Sequence, residues 1–171
     1  MFTSILESTP LCLYSIPIVW LTSFWPAATR LALVGKTIGP QNLAPRAGVQ
    51  RLTEKDPLLG AKAARMEAAH QNGNEIFPLW IAAVFAGHLA GIDNYTMNTY
   101  SIAFIALRVV YNYIYVNQST NIVAASRSLV WLAGFGERVV RLAHLVILKK
   151  PPGLPMTILV KAANKVAGTA T

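Results

Sequence analysis

Three long apolar blocks, each carrying or adjoining charges that a bilayer would penalise, constrain this chain more than any other feature. Leu11–Val34 is apolar except for Arg30, and Met97–Val116 is apolar except for Arg108. Ile76–Ile92 is shorter, but its helical pattern reaches back to about Ala61. A bilayer core of roughly 30 Å takes about 20 apolar residues of helix to cross. The chain is 54% hydrophobic and 13% charged, about half the charge of a soluble domain. Its 171 residues allow one domain, 1–171. The expected class is all-α: a polytopic membrane protein folded as a transmembrane helix bundle.

The charges are not scattered. Arg65, Asn72 and Glu75 stand seven and three residues apart, which at 100° per residue confines them to an arc of roughly 80° on one helix face. Arg108, Tyr111 and Tyr115 fall within an arc of roughly 60° in the third block. Polar groups at membrane depth face a bundle interior or a polar cavity and by default mark a functional site. The two stripes are expected to be buried against each other, with Glu75 the partner of Arg108. A purely structural ion pair that fixes helix register is the competing reading. Tyr111 and Tyr115 have their own alternative as interfacial aromatics, a description that suits Tyr95 and Tyr113 better. His70 lies some 140° from Arg65 around the helix and is expected to pack between helices. His88 reads as structural.

A formal charge of +8 invites a nucleic-acid partner, but the basic residues form no stripe interleaved with exposed aromatics, and none is expected. Lys36, Arg46, Arg51, Lys55 and Lys62 share the long loop between the first two spans. That loop should face the cytoplasm, which makes the N-terminus and the short Asp93–Thr96 connection lumenal. The loop Gly35–Gly60, with Pro40, Pro45 and Pro57, reads as irregular. One cysteine and three separated histidines offer no readable metal site. The expected spans are 11–34, 61–92, 97–116 and a fourth whose end is poorly specified, either 121–148 or 122–136 joined to 157–165. In the second case 137–157 is an insertion, either a genuine amphipathic elaboration or a retained intron. Four crossings leave the tail lumenal, against the basic character of Lys149, Lys150, Lys161 and Lys165.

Arg65-Met-Glu-Ala-Ala-His70-Gln-Asn72-Gly-Asn-Glu75-Ile-Phe-Pro78 resembles the second-helix signature of the MAPEG family, membrane-associated proteins in eicosanoid and glutathione metabolism. Arg108-Val-Val-Tyr111-Asn-Tyr-Ile-Tyr115 resembles its third-helix pattern, and Arg127-Ser128 followed by Trp131 resembles the start of its fourth. Asn42-Leu-Ala-Pro45-Arg46 is similar to the loop of the fungal-type branch. The resemblance implies a microsomal glutathione transferase-like four-helix bundle, trimeric, in an endoplasmic-reticulum-type membrane, with glutathione between neighbouring subunits. It implies that Arg65, Asn72, Glu75, Arg108, Tyr111 and Tyr115 hold glutathione.

It further implies that Arg127 stabilises the thiolate, with Ser128 or Tyr115 as hydrogen-bonding alternatives. The thiolate is the nucleophile, and a thiol of ordinary pKa about 8.5 is favoured as thiolate beside a cation. The expected activity is that of a glutathione-dependent transferase, peroxidase or isomerase acting on a lipophilic electrophile that partitions into the bilayer. A non-catalytic lipid-presenting or scaffold protein of the same fold is the alternative.

Overall fold

The computed structural model describes residues 2–40, 43–134, 139 and 141–148. It is helical throughout, with no strand among the described residues. A short α1 (Phe2–Ser8) and a 3-10 turn (Leu11–Tyr14) lead into α2 (Ser15–Ile38). A second 3-10 turn (Pro45–Ala47) and α3 (Gly48–Lys55) precede α4 (Pro57–Leu89) and α5 (Asn94–Asn117), and α6 (Asn121–Leu132) and α7 (Arg141–Leu148) follow. Helices α2, α4 and α5 pack on one another; α6 lies against α5, and α7 against α4.

Local sequence sets the boundaries. Pro57 occupies the first turn of α4, where its missing N–H costs nothing, and the Asp56 carboxylate accepts from the Leu58 and Leu59 amides at 3.0 Å each. Asp93 caps α5 through Thr96 N–H at 2.8 Å, and Thr120 caps α6 through Val123 N–H at 3.3 Å. Gly91 sits at φ 65°, a left-handed conformation open to glycine, which lets α4 and α5 reverse direction across four residues. They are therefore antiparallel neighbours.

The loop expected to be irregular is helical in part. Gly48–Lys55 forms α3, with Leu52 fully buried against Val34 and Ala63. The prolines drew attention to the breaks and hid the amphipathic pattern between them. Lys55 Nζ donates to the Thr37 carbonyl at 2.8 Å, satisfying an unpaired acceptor at the end of α2.

In the main core Trp80 of α4 stacks on Phe104 of α5, centroids 4.1 Å apart and planes within 6°. The Trp80 indole N–H reaches Ser15 Oγ at 3.0 Å, so this large ring is buried with its polar edge paired. Asn98 ties down the N-terminal segment: its oxygen accepts from Cys12 N–H at 2.7 Å and its amide donates to the Leu6 and Thr9 carbonyls. Pro26, inside α2, cannot donate to the carbonyl four residues back, and Asn112 of α5 supplies that bond to Thr22 O at 2.6 Å. A partner helix satisfies a proline-freed carbonyl in this way within a bundle. Arg30 Nε and Glu67 Oε2 pair at 2.8 Å across α2 and α4, and His70 Nδ1 meets Ser23 O at 2.8 Å, so His70 does pack between helices.

Among the described residues, two helical segments are long and apolar enough to cross a membrane, Leu11–Ile38 and Asn94–Asn117. The other two expected spans do not meet that measure. Helix α4 is longer, at 33 residues, but Lys62, Arg65, Glu67 and Glu75 dilute it. Helix α6 is α-helical over 12 residues, and Ala133 and Gly134 continue it in the wider π form. The alternative fourth span that draws on 157–165 lies outside the described residues. Large apolar side chains stand exposed along the bundle, among them Trp20, Leu21, Phe24 and Trp25 on α2 and Val109, Val110 and Tyr113 on α5. Such a surface is costly in water and suits lipid.

Candidate functional site

The antiparallel register of α4 and α5 determines which stripe residues meet. Asn72 lies level with Arg108, and Arg65, two helical turns earlier, lies level with the end of α5. Arg108 is 4% exposed, and its Nη1 donates to Asn72 Oδ1 at 3.2 Å. Its Nε and Nη2 are buried and have no hydrogen-bond partner among the described residues. Two unused donors on a permanently charged, buried group are expensive, and nothing else in the described core leaves a cation so exposed to an absent acceptor.

The remaining groups extend from Arg108 as a ladder of cations and rings. The Arg108 guanidinium carbon is 4.6 Å from the Tyr111 centroid. Tyr111 meets Tyr115 edge to face at 5.5 Å, and the Arg127 guanidinium carbon lies 4.2 Å from the Tyr115 centroid. Each cation–π contact contributes about 0.5–2 kcal/mol. Arg127 Nη1 also donates to Gln118 Oε1 at 3.1 Å. Asn72, Tyr111, Arg127, Ser128 and Trp131 line a cleft of about 170 Å³ between α4, α5 and α6. Beside it Tyr111 and Trp131 also bound a smaller, mostly apolar hollow walled by Ile76, Phe104, Arg108 and Val130. The cleft thus offers one guanidinium group, an amide and hydroxyls, and the adjoining apolar surface carries the second guanidinium, that of Arg108.

The structure brings together Asn72, Arg108, Tyr111, Tyr115, Arg127 and Ser128. Two expected residues stand apart. Arg65 Nε donates to the Val116 carbonyl at 3.2 Å, closing the C-terminal end of α5, where a cation is favoured. Glu75 does not pair with Arg108, whose bond goes to Asn72. Three residues beyond Asn72, it is carried about 60° around α4 and is exposed on the surface of this single chain. Two residues of the site escaped notice as contributors. Trp131, one turn beyond Arg127, could have been placed on its face by helical spacing. Gln118 lies in a connection and has no periodic signal.

An all-helical membrane protein with an arginine–tyrosine cluster buried between helices is the class that fold and site define. The chain belongs to the MAPEG family, whose family model matches residues 9–148, most of its length. MAPEG proteins are glutathione-associated in general, and membership suggests a role in glutathione-related transfer or lipid metabolism. The match takes in Glu137–Leu148, the first part of the stretch expected as an insertion. No curated protein and no solved structure matches the chain.

Proposed function

We propose that the chain is a glutathione-dependent transferase, peroxidase or isomerase, fungal-type in its loop motif, acting on a lipophilic electrophile from within the membrane. The observation that carries this reading is Arg108, buried with two guanidinium nitrogens unpartnered, in the wall of the hollow that adjoins the polar cleft. A carboxylate of glutathione supplies the acceptors they lack, and the planar fork holds it by two parallel bonds. Asn72 fixes the guanidinium from one side and Tyr111 from its face, so the fork is oriented before ligand arrives.

Glutathione, when bound, supplies the thiol that attacks the electrophile. Arg127 is held over Tyr115 by the ring and by Gln118, and from there its charge favours the thiolate. Ser128 and the Tyr115 hydroxyl are the hydrogen-bonding alternatives. Glu75 and Arg65 remain in the proposed glutathione set. Glu75 is exposed here and suits a cleft completed by a neighbouring copy, in keeping with a homotrimer of four-helix subunits in the endoplasmic reticulum. The adjoining apolar hollow and lipid-facing surface favour an acceptor that already partitions into the bilayer. One observation favours the second reading, a non-catalytic lipid-presenting or scaffold protein: Arg127 is already held within the chain, by its hydrogen bond to Gln118 and its contact with the Tyr115 ring.

Isothermal titration of glutathione into the detergent-purified protein tests the assignment. Arg108→Ala should weaken binding by about tenfold to a hundredfold, from the roughly 1.5–3 kcal/mol of a charged hydrogen-bonded group. Arg108→Lys should recover only part of that. Unchanged affinity in Arg108→Ala, with folding intact by thermal unfolding, would remove Arg108 from the site. Binding without turnover on a panel of electrophiles would favour the scaffold reading.

A further inference from the structure

Arg108 lacks a counter-charge as well as acceptors. It lies within Asn94–Asn117, one of the segments apolar enough to span a membrane, and it makes no ion pair among the described residues. Asn72, its hydrogen-bond partner, is neutral, and Glu75 is exposed instead of paired with it. A buried cation with no opposite charge is costly, the more so at membrane depth.

The unused donors have a definite shape. Nε and Nη2 lie on one edge of the planar guanidinium, so their N–H bonds run side by side and can meet on a single acceptor. Nη1 is taken by Asn72. The hollow against which Arg108 lies, between α4, α5 and the end of α6, has a volume of about 10 Å³, room for one water-sized sphere. Ile76, Phe104, Leu107 and Val130 make much of the remaining wall apolar. A neutral water fits that space but leaves the charge uncancelled. A carboxylate carries the charge, but it enters only if Tyr111 and Trp131, which border both hollow and cleft, move apart. A monatomic anion meets size and charge together.

We propose that the hollow binds one chloride ion on the Nε–Nη2 edge of Arg108, as the counter-ion of the site at rest. On the glutathione reading above, on which this consequence rests, the entering carboxylate takes the same edge and the chloride leaves. Apparent glutathione affinity then falls as chloride rises, at constant ionic strength.

The anion site is tested without glutathione. Full-length protein in a non-ionic detergent is titrated with sodium chloride, balanced by sodium gluconate, while the chlorine NMR linewidth is recorded. The excess width should saturate and be removed by bromide. Arg108→Gln should abolish it. Gly134→Val keeps the arginine and fills the hollow instead: a first carbon there would meet only the Leu107 side chain, at 3.7 Å and beyond, so the helix accommodates it, and chloride binding should weaken at least tenfold. Lys36→Ala, which removes an exposed cation elsewhere, should leave binding within twofold. Exchanging gluconate for chloride should also raise the thermal midpoint of the unmodified protein by about 2–4 °C, and that of Gly134→Val much less. Broadening that never saturates, or saturable broadening that survives Arg108→Gln or Gly134→Val, would overturn the proposal. Glutathione titrated in chloride and in gluconate reads the competition separately. Saturable chloride binding with unchanged glutathione affinity would keep the anion site and take the glutathione carboxylate off Arg108.

Discussion

At the scale of single residues, the site rests on groups placed where their own hydrogen-bonding capacity is unfinished. Arg127 is the chemical test. If its charge favours the thiolate, glutathione bound near neutral pH should show thiolate absorbance in the ultraviolet. Arg127→Ala should lose that signal and reduce turnover more than binding, as for a group acting on the chemical step. A signal undiminished in the variant would pass the role to Ser128 or Tyr115. Glu75 makes a different test: if a neighbouring copy completes the cleft, Glu75→Gln should weaken glutathione binding in the assembled protein while folding is unchanged. Equal affinity for both forms would take Glu75 out of the site. The sequence disclosed the Arg108 face because a cation in an apolar block has few places to go. It did not disclose that Asn72 rather than Glu75 meets Arg108, since that depends on the register of α4 against α5, which periodicity within one helix does not carry.

Among elements, α2 and α4 cross unusually closely. A side chain beginning at Gly73 would place its first carbon 2.5 Å from Ser23 Oγ and 2.9 Å from Ser23 Cα, and the backbone atom cannot swing aside. Gly73→Val should therefore force the helices apart and cost about 1–3 kcal/mol, the range for overpacking, seen as a lowered thermal midpoint in detergent. Gly35→Val, where a new side chain meets nothing within 4 Å, is the control and should shift the midpoint much less. Helices α2 and α5 were legible from block length alone and α4 from its backward extension to Ala61, although it starts four residues earlier at the Asp56–Pro57 cap. Helix α3 was missed because a two-turn amphipathic segment between prolines is too short for its period to stand out. The fourth block was ambiguous in sequence for a physical reason: Arg127, Glu137, Arg138 and Arg141 interrupt its apolar character more often than a span tolerates.

For the whole molecule, the exposed apolar belt and the basic α2–α4 loop orient the chain relative to a bilayer. Lys36, Arg46, Arg51, Lys55 and Lys62 should hold that loop in the cytoplasm, with the N-terminus and the Ala90–Asp93 turn on the opposite side. Single cysteines introduced at Gln50 and at Asn94, in a Cys12→Ala background, check this by labelling with a membrane-impermeant thiol reagent in sealed microsomes. Modification at position 50 and protection at 94 is the expected outcome, and the reverse pattern would invert the topology. The membrane class was plain from composition, because no soluble core absorbs so much apolar surface in so few residues. The assembly was not, because the residues that would face a neighbouring copy and those that would face lipid are chemically alike.

The bond from Asn112 to the Thr22 carbonyl exists because Pro26 left that carbonyl free. A helix without Pro26 would satisfy Thr22 from within, and the amide of Asn112 would then be a buried group with nothing to do. Descent should therefore treat positions 26 and 112 as one inheritance: lineages that lose the proline are released to lose the asparagine, and those that keep one are expected to keep both.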